Sequence, residues 1–159
     1  MISIIILLFW FSQSLHEARR LIRMNADPRI KIAVADDHDM FKEAIEIVLR
    51  VFPDMNLMIK ASNGMDLLKQ IKMNEPDIVL LDLQMPVMDG LSTLEELKRL
   101  HYRIKVIILS MDPDSVQEAL RMGADGYLLK TTDPKKIANA IRVACNLAAF
   151  EDHSANVII

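Results

Sequence analysis

Short apolar runs alternate with helical segments along most of this chain, and no other feature constrains its fold as strongly. Each run is almost continuously apolar. This is typical of a strand covered on both faces of a sheet, and it differs from the alternating pattern of a half-exposed strand. The predicted strands are residues 30–35, 56–61, 77–81, 104–109 and 126–129.

Helical periodicity fills the intervals between these strands. Pro134 stands near the start of the last predicted helix, where its missing N–H costs nothing, and Gly123 ends the helix before it. Five strand–helix units in strict alternation predict an α/β fold with a parallel sheet, right-handed crossovers and helices on both faces. The apolar stripes are Phe41, Ala44, Ile45 and Val48; Met65, Leu68 and Ile71; Leu91, Leu94 and Leu97; Val116, Ala119 and Leu120; and Ile137, Ala140, Ile141, Ala144 and Ala148.

The composition fits one globular domain and excludes several kinds of site. The chain has 159 residues and a net charge of −3, so nothing predicts direct binding of nucleic acid by this chain. Cys145 is the only cysteine, which rules out an intrachain disulfide and a cysteine-based metal cluster. We expect Cys145 to be inert packing in a helix, and a cytoplasmic setting fits this cysteine content.

The first residues do not fit the pattern of the rest. Residues 2–11 are almost wholly apolar, and residues 13–24 are polar and basic. A membrane-spanning helix needs about 20 apolar residues, and a secretory signal carries its positive charge before the apolar run. Either residues 1–23 form a membrane-surface anchor, or Met24 is the true initiator, which we favour. The predicted organisation is an extension at 1–28, a domain at 29–150 and a tail at 151–159.

Charged and hydroxyl side chains follow the predicted strands. Asp36 and Asp37 follow the first strand, Asp82 the third, Ser110 the fourth and Lys130 the fifth. In an open parallel sheet, ligands bind beyond the carboxyl ends of the strands. We therefore expect these five residues to meet at one edge of the sheet. Each aspartate alone is more often a helix cap, but their joint placement favours a functional site.

The chemistry of this set favours phosphoryl transfer. Three converging carboxylates repel one another, and a hard divalent cation such as Mg²⁺ (or Mn²⁺) would offset their charge. Asp82 can act as a nucleophile that forms an acyl phosphate. Lys130 and Ser110 would stabilise the transferred group, since phosphoryl transfer depends on positioning and charge neutralisation. No Cys or His cluster for zinc is expected, because His38 adjoins the site as a single histidine.

Residues 30–149 resemble the receiver domain of bacterial two-component response regulators. The acidic pair lies in VADDHDMF, the acceptor in LLDLQMPVMDG, the hydroxyl in IILSM and the lysine in GADGYLLK. The resemblance implies a flavodoxin-like doubly wound (βα)5 fold with strand order 2-1-3-4-5. In the stretch after Asp82, Gly90 is expected to supply a backbone conformation that other residues resist.

The resemblance also implies roles for the acidic residues. Asp82 would accept a phosphoryl group from a sensor histidine kinase or a phosphotransfer protein. Asp37 and Asp82 would bind Mg²⁺ directly together with the backbone carbonyl of Gln84, and Asp36 would act largely through metal-bound water.

Two further residues would form the switch that the resemblance implies. Ser110 and Lys130 would bind the phosphoryl oxygens. Movement of Ser110 toward the phosphate would open space into which Tyr127 can rotate. The surface of the fourth helix, fifth strand and fifth helix would change, and would bind an effector protein or a second copy of the chain.

The motifs DDH and GADGYLLK further suggest the LuxR/NarL-like branch. Members of this branch usually carry a C-terminal helix-turn-helix, and no such segment follows the receiver-like region in this sequence. The chain could therefore be a stand-alone receiver, a fragment of a DNA-binding regulator, or a receiver-like adaptor that is not phosphorylated. A flavin or dinucleotide protein is disfavoured, because the chain has four glycines and no G-x-G-x-x-G motif. A receiver of this kind would not be a conventional enzyme.

Overall fold

The computed structural model describes residues 29–100 and 103–145. The extension at 1–28, Ala148 and the tail at 151–159 lie outside this part of the chain. The strands are β1 (Ile30–Ala35), β2 (Met55–Ala61), β3 (Ile78–Leu81), β4 (Lys105–Ser110) and β5 (Gly126–Leu129). The helices are α1 (Asp39–Arg50), α2 (Gly64–Ile71), α3 (Gly90–Leu100), α4 (Val116–Arg121) and α5 (Pro134–Ala144), with a 3₁₀ turn at Pro113–Ser115 before α4.

The five strands form one parallel sheet in the order β2-β1-β3-β4-β5. Because side chains alternate between the faces of a strand, the sheet supplies two apolar layers. Ala33, Val79 and Ile108 belong to the layer packed against α2 and α3. Ile32 and Leu80 belong to the layer packed against α1 and α5. The doubly wound α/β fold and the strand order predicted from the sequence are confirmed.

The strand boundaries differ slightly from the prediction. Ser110 is the last residue of β4, where it pairs with Leu129, and not the first residue after the strand. Asp77 lies just before β3, where its carboxylate accepts the N–H of Lys31 at 2.8 Å. Both corrections leave the functional side chains at the same edge of the sheet.

Two predicted helix faces were also partly wrong. In α1 the buried face contains Lys42, Ile45 and Leu49, and Ala44 is exposed. In α2 the predicted Ile71 is buried, but Leu67 is buried as well and Met65 is 59% exposed. Both helices carry apolar residues on more than one side, so the sheet contact selects the face. Within the described ranges, no helix combines the length and the apolar character that crossing a membrane requires.

Side-chain contacts fix both ends of α5. Asp133 caps its start by accepting the N–H of Lys135 at 2.8 Å, and Pro134 occupies the first turn as predicted. Near its end, the guanidinium of Arg142 donates to both carboxylate oxygens of Asp54, at 2.7 and 2.9 Å. The pair of Arg142 and Asp54 thus ties the end of α5 to the residue that directly precedes β2.

An acidic site at the carboxyl edge of the sheet

Neighbouring strand ends bring the predicted residues together. Asp36 follows β1, Asp82 follows β3, Ser110 ends β4 and Lys130 follows β5. Asp36, Asp82 and Ser110 are buried, with 1%, 4% and 2% of their surface exposed. Because adjacent strands are in parallel register, these residues lie side by side along one edge.

Lys130 joins two of the carboxylates. Its Nζ lies 2.6 Å from Asp36 Oδ2 and 3.0 Å from Asp82 Oδ2. The same ammonium lies 4.9 Å from the centre of the Phe41 ring, which is a cation–π distance. The amine is therefore held between two acids and an aromatic face, at the position where a group on Asp82 would need a positive charge.

The surroundings of this cluster raise the pKa of both Asp82 and Lys130. Burial raises the pKa of Asp82, and the hydrogen bond and charge of Lys130 oppose this rise only in part. For Lys130, burial opposes the charged form, but contacts with Asp36 and Asp82 outweigh it and raise the pKa of the amine. Burial therefore disfavours the ionised form of Asp82, and a pKa shifted in this way is common among reactive carboxylates.

Asp37 and His38 extend the cluster toward solvent. Asp36 Oδ1 accepts the backbone N–H of His38 at 2.9 Å. The Nδ1 of His38 lies 3.2 Å from Asp36 Oδ1 and 2.7 Å from Asp37 Oδ1. The contacts of His38 with these two carboxylates were not predicted from the sequence. The signal was its position directly after the acidic pair, where a ring can fold back onto both carboxylates.

The donor set fits a divalent cation. Ligand atoms from Asp36, Asp37, His38 and Asp82 all lie within 4.8 Å of one another. Three carboxylates carry more negative charge than one lysine balances, and hard cations prefer such oxygen ligands. The backbone N–H of Gln84 acts on the Asp82 carboxylate and slightly opposes the rise in its pKa. The role of the Gln84 backbone carbonyl as a metal ligand stays a prediction.

The stretch after Asp82 needs Gly90 for space and not for backbone conformation, contrary to the prediction. A Cβ on Gly90 would lie 2.2 Å from the carbonyl oxygen of Asp82 and 2.6 Å from Leu83 Cα. The left-handed residue in this stretch is Val87, with a φ of 69°. Gly90 thus allows the start of α3 to pass directly over the acceptor's own backbone.

A hydrogen-bond network links the predicted switch residues. The Oγ of Ser110 accepts the N–H of Asp112 at 3.1 Å, and the hydroxyl of Tyr127 donates to the backbone carbonyl of Asp112. Ser115 Oγ donates to the Asp112 carboxylate at 2.6 Å. The ring of Tyr127 is 5% exposed, and burial raises the pKa of its phenol. Asp112 was not predicted as part of this network, because its backbone makes these contacts and no side-chain pattern indicates them.

Fold and site together define a receiver-type α/β domain. A family model described as the response regulator receiver domain matches residues 32–142, and the chain belongs to this family. Receiver domains of this family accept phosphoryl groups in two-component signalling, and they bind Mg²⁺ at an acidic pocket. Most are not conventional enzymes.

Individual relatives agree with the family assignment. The chain is 39% identical over 115 residues to the nitrate/nitrite response regulator protein NarL of Escherichia coli K12, covering 71% of this chain and 53% of NarL. It is 34% identical over 117 residues to the transcriptional regulatory protein DesR of Bacillus subtilis, covering 74% and 59%. The chain therefore spans about half the length of the curated relatives it matches.

A solved receiver domain has the same fold. The signal receiver domain of the response regulator NarL from Mycobacterium tuberculosis superimposes with a TM-score of 0.71 and 30% sequence identity. The alignment covers 76% of this chain and 98% of that domain.

Proposed function

We propose that this chain is a phosphorylation switch in which Asp82 accepts a phosphoryl group from a histidine kinase or a phosphotransfer protein. The observation that carries this proposal is the buried Asp82 carboxylate, which lies 3.0 Å from Lys130 at the carboxyl edge of the sheet. A carboxylate that served only as the ion-pair partner of Lys130 would have a lowered pKa, whereas burial raises the pKa of Asp82. A raised pKa beside an ammonium and two further acids is typical of a functional site.

The chemistry follows from the geometry of the cluster. A carboxylate oxygen of Asp82 attacks phosphorus, and the bond from phosphorus to the donor's histidine nitrogen breaks with the electron pair left on that nitrogen. Lys130 donates to the transferred oxygens from its place beside Asp82, and the Ser110 hydroxyl donates once it turns toward them. Hydrolysis of the acyl phosphate restores Asp82, so the chain is a switch and not a conventional enzyme.

The cation site belongs to the same proposal. Asp37 and Asp82 with the Gln84 carbonyl would hold Mg²⁺ (or Mn²⁺), and Asp36 would act largely through bound water. When bound, the ion supplies positive charge that offsets the negative charge of the transferred group. The side chain of Asp37 is 33% exposed, so this face of the cluster is open to solvent and to a phosphodonor.

Ser110 and Tyr127 would transmit the effect of phosphorylation at Asp82 to the surface formed by α4, β5 and α5. Both contact Asp112 in the stretch that joins β4 to α4, so displacement of Ser110 would reach this surface through one residue. The altered surface would bind an effector protein or a second copy of the chain in the cytoplasm, without direct binding of nucleic acid.

Phosphorylation from a small donor tests the proposal. The protein is incubated with acetyl phosphate and Mg²⁺, and its intact mass is measured. We expect one added phosphoryl group on the wild type and none on Asp82→Asn, while Asp114→Asn, which changes an exposed aspartate, is modified normally. Wild-type protein that stays unmodified would overturn the proposal and favour the adaptor. Asp82→Asn modified like the wild type would also overturn it, because the phosphoryl group would then be on another residue.

A second possibility is that the chain is the receiver part of a DNA-binding transcriptional regulator. It is favoured by the relatives, which include the transcriptional regulatory protein DesR and are about twice as long as the matched region. Sequencing the downstream DNA tests it. A helix-turn-helix coding segment there would support a regulator, and its absence would favour a stand-alone receiver.

Residues 1–23 are proposed to be dispensable for the switch. A deletion that starts at Met24 should be phosphorylated at the wild-type rate. Pelleting with vesicles by the full chain, but not by the deletion, would instead support a membrane-surface anchor.

A further inference from the structure

We infer that His38 is a nitrogen ligand of the acidic site and gives it a preference for borderline transition cations such as Ni²⁺, Co²⁺ and Zn²⁺ over Mg²⁺. The inference rests on the proposed function, because it assigns a ligand and a selectivity to the same cation site. Three carboxylates alone form an oxygen site, whereas an added imidazole changes which ions bind most tightly.

The geometry places the ring nitrogen among the carboxylate oxygens. His38 Nδ1 lies 2.7 Å from Asp37 Oδ1 and 3.2 Å from Asp36 Oδ1, and the four donor atoms including one from Asp82 span no more than 4.8 Å. Ligands on opposite sides of a cation lie about 4.2 Å apart when each bond is about 2.1 Å. Shifts of less than about 1 Å would therefore bring all four atoms to bonding distance.

The space between His38 Nδ1 and the two carboxylate oxygens, which lie 3.2 and 2.7 Å from it, is where a cation would bind. A neutral imidazole carries its proton on either nitrogen, so a proton on Nε2 leaves the Nδ1 lone pair free. The His38 side chain is 69% exposed, and Nε2–H can therefore be satisfied by water. In that tautomer the ring can act as a ligand through Nδ1 without burying an unpaired polar group.

The expected consequence is a difference between ions at one site. Mg²⁺ takes oxygen ligands and gains little from imidazole, so the aspartates determine its affinity. Imidazole suits nickel, copper, iron and zinc, and a site with nitrogen and oxygen donors binds Ni²⁺ more tightly than earlier divalent metals. Ni²⁺ should therefore displace Mg²⁺ from the cluster, and His38 should determine by how much.

Calorimetric titration of the purified full chain with Mg²⁺ and with Ni²⁺ tests the inference. His38→Asn should raise the Kd for Ni²⁺ about tenfold or more, which is the scale expected when a contact at a metal site is lost. The Kd for Mg²⁺ should change less than about twofold, because no magnesium ligand is removed. Co²⁺ should give a visible absorption band that shifts in the same variant. His101→Asn and His153→Asn are matched controls, and both should bind Ni²⁺ like the wild type.

Other outcomes would overturn the inference. Equal weakening of Mg²⁺ and Ni²⁺ binding in His38→Asn would show that His38 only orients the aspartates. Unchanged Ni²⁺ binding in His38→Asn, or in Asp82→Asn, would place the ion elsewhere. If the wild type bound Ni²⁺ through His38 but did not bind Mg²⁺, the inference would stand and the magnesium part of the proposed function would fail.

Discussion

Gly90→Ala should destabilise the domain, because the start of α3 passes directly over the acceptor's backbone. The added Cβ would lie 2.2 Å from the carbonyl oxygen of Asp82 and 2.6 Å from Leu83 Cα. Neither atom is the mobile end of a side chain. A tolerable contact needs about 3.2 Å or more, so α3 or the stretch after Asp82 must move by about 1 Å.

The cost of such a shift can be bounded. Inserting one methyl group into tightly packed structure typically costs about 1–3 kcal/mol. Alanine regains part of this through its higher helix propensity, which is worth up to about 1 kcal/mol inside a helix but less at the first residue of α3. We therefore expect the free energy of unfolding to fall by about 2 kcal/mol, which lowers the urea midpoint by about 1 M.

Urea unfolding of matched glycine variants provides the assay. In Gly126→Ala the new Cβ would lie 3.4 Å from Ile107 Cγ1, a near-ordinary contact, so this variant should lose less than about 1 kcal/mol. Phosphorylation of Gly90→Ala by acetyl phosphate should also slow markedly, since displacement by about 1 Å misplaces Asp82. The steric reasoning is refuted if Gly90→Ala unfolds at the same urea concentration as Gly126→Ala.

Three further predictions concern charged and titrating groups. In EDTA at pH 7, Asp82→Asn should be more stable than the wild type, because the pKa of Asp82 is raised by burial and its ionised form is disfavoured in the folded state. This advantage should disappear as the pH falls through the raised folded pKa toward the unfolded value near 4, as urea titrations across pH would show. Arg142→Lys should cost about 1 kcal/mol or less in urea unfolding, because one of two hydrogen bonds to the partly exposed Asp54 is lost, and adding Asp54→Asn should cost little more. Burial raises the pKa of the Cys145 thiol to about 11, so iodoacetamide at neutral pH should alkylate the folded chain roughly a hundredfold more slowly than the urea-unfolded chain, and equal rates would contradict the burial.

Strand positions were predictable because each buried strand is a continuous apolar run. The predicted bounds of β1 and β5 agree with the structure, and those of the other strands differ by one residue. The exact ends depend on pairing. Ser110 belongs to β4 because it pairs with Leu129 and its carbonyl accepts the N–H of Lys130. The residue type of Ser110 does not indicate this pairing.

The buried faces of the helices were less predictable. An amphipathic helix with apolar residues on two sides has more than one plausible face, and contact with the sheet decides between them. The burial of Lys42 was the hardest to predict from the sequence, since lysine is rarely buried. It is tolerated at 5% exposure because Ser62 Oγ and Asp39 Oδ1 lie 2.8 and 2.9 Å from its ammonium.

The rule that ligands bind beyond the carboxyl ends of parallel strands predicted which residues would meet at the site, but not which of their atoms would be in contact. The rule places backbones at one edge of the sheet, and Asp36, Asp82 and Lys130 do converge there. Side-chain torsions then decide which atoms touch. The bridge from Lys130 to two acids, and the contact of His38 with Asp37, depend on distances of 2.6 to 3.0 Å that residue order does not encode.

The position of Tyr127 shows how backbone atoms complete a site. An inward ring buries apolar surface, but its hydroxyl then needs a partner, because an unpaired buried hydroxyl costs about 1–3 kcal/mol. The partner is the carbonyl of Asp112, whose N–H is bound by Ser110 Oγ. Displacement of Ser110 toward Asp82 would either break that N–H contact, at about 1 kcal/mol, or draw Asp112 along and loosen the Tyr127 hydroxyl. Ser110 and Tyr127 contact the two backbone polar groups of one residue. If the proposed switch operates, we therefore expect the Asp112 backbone to connect the acidic site with the surface of α4, β5 and α5.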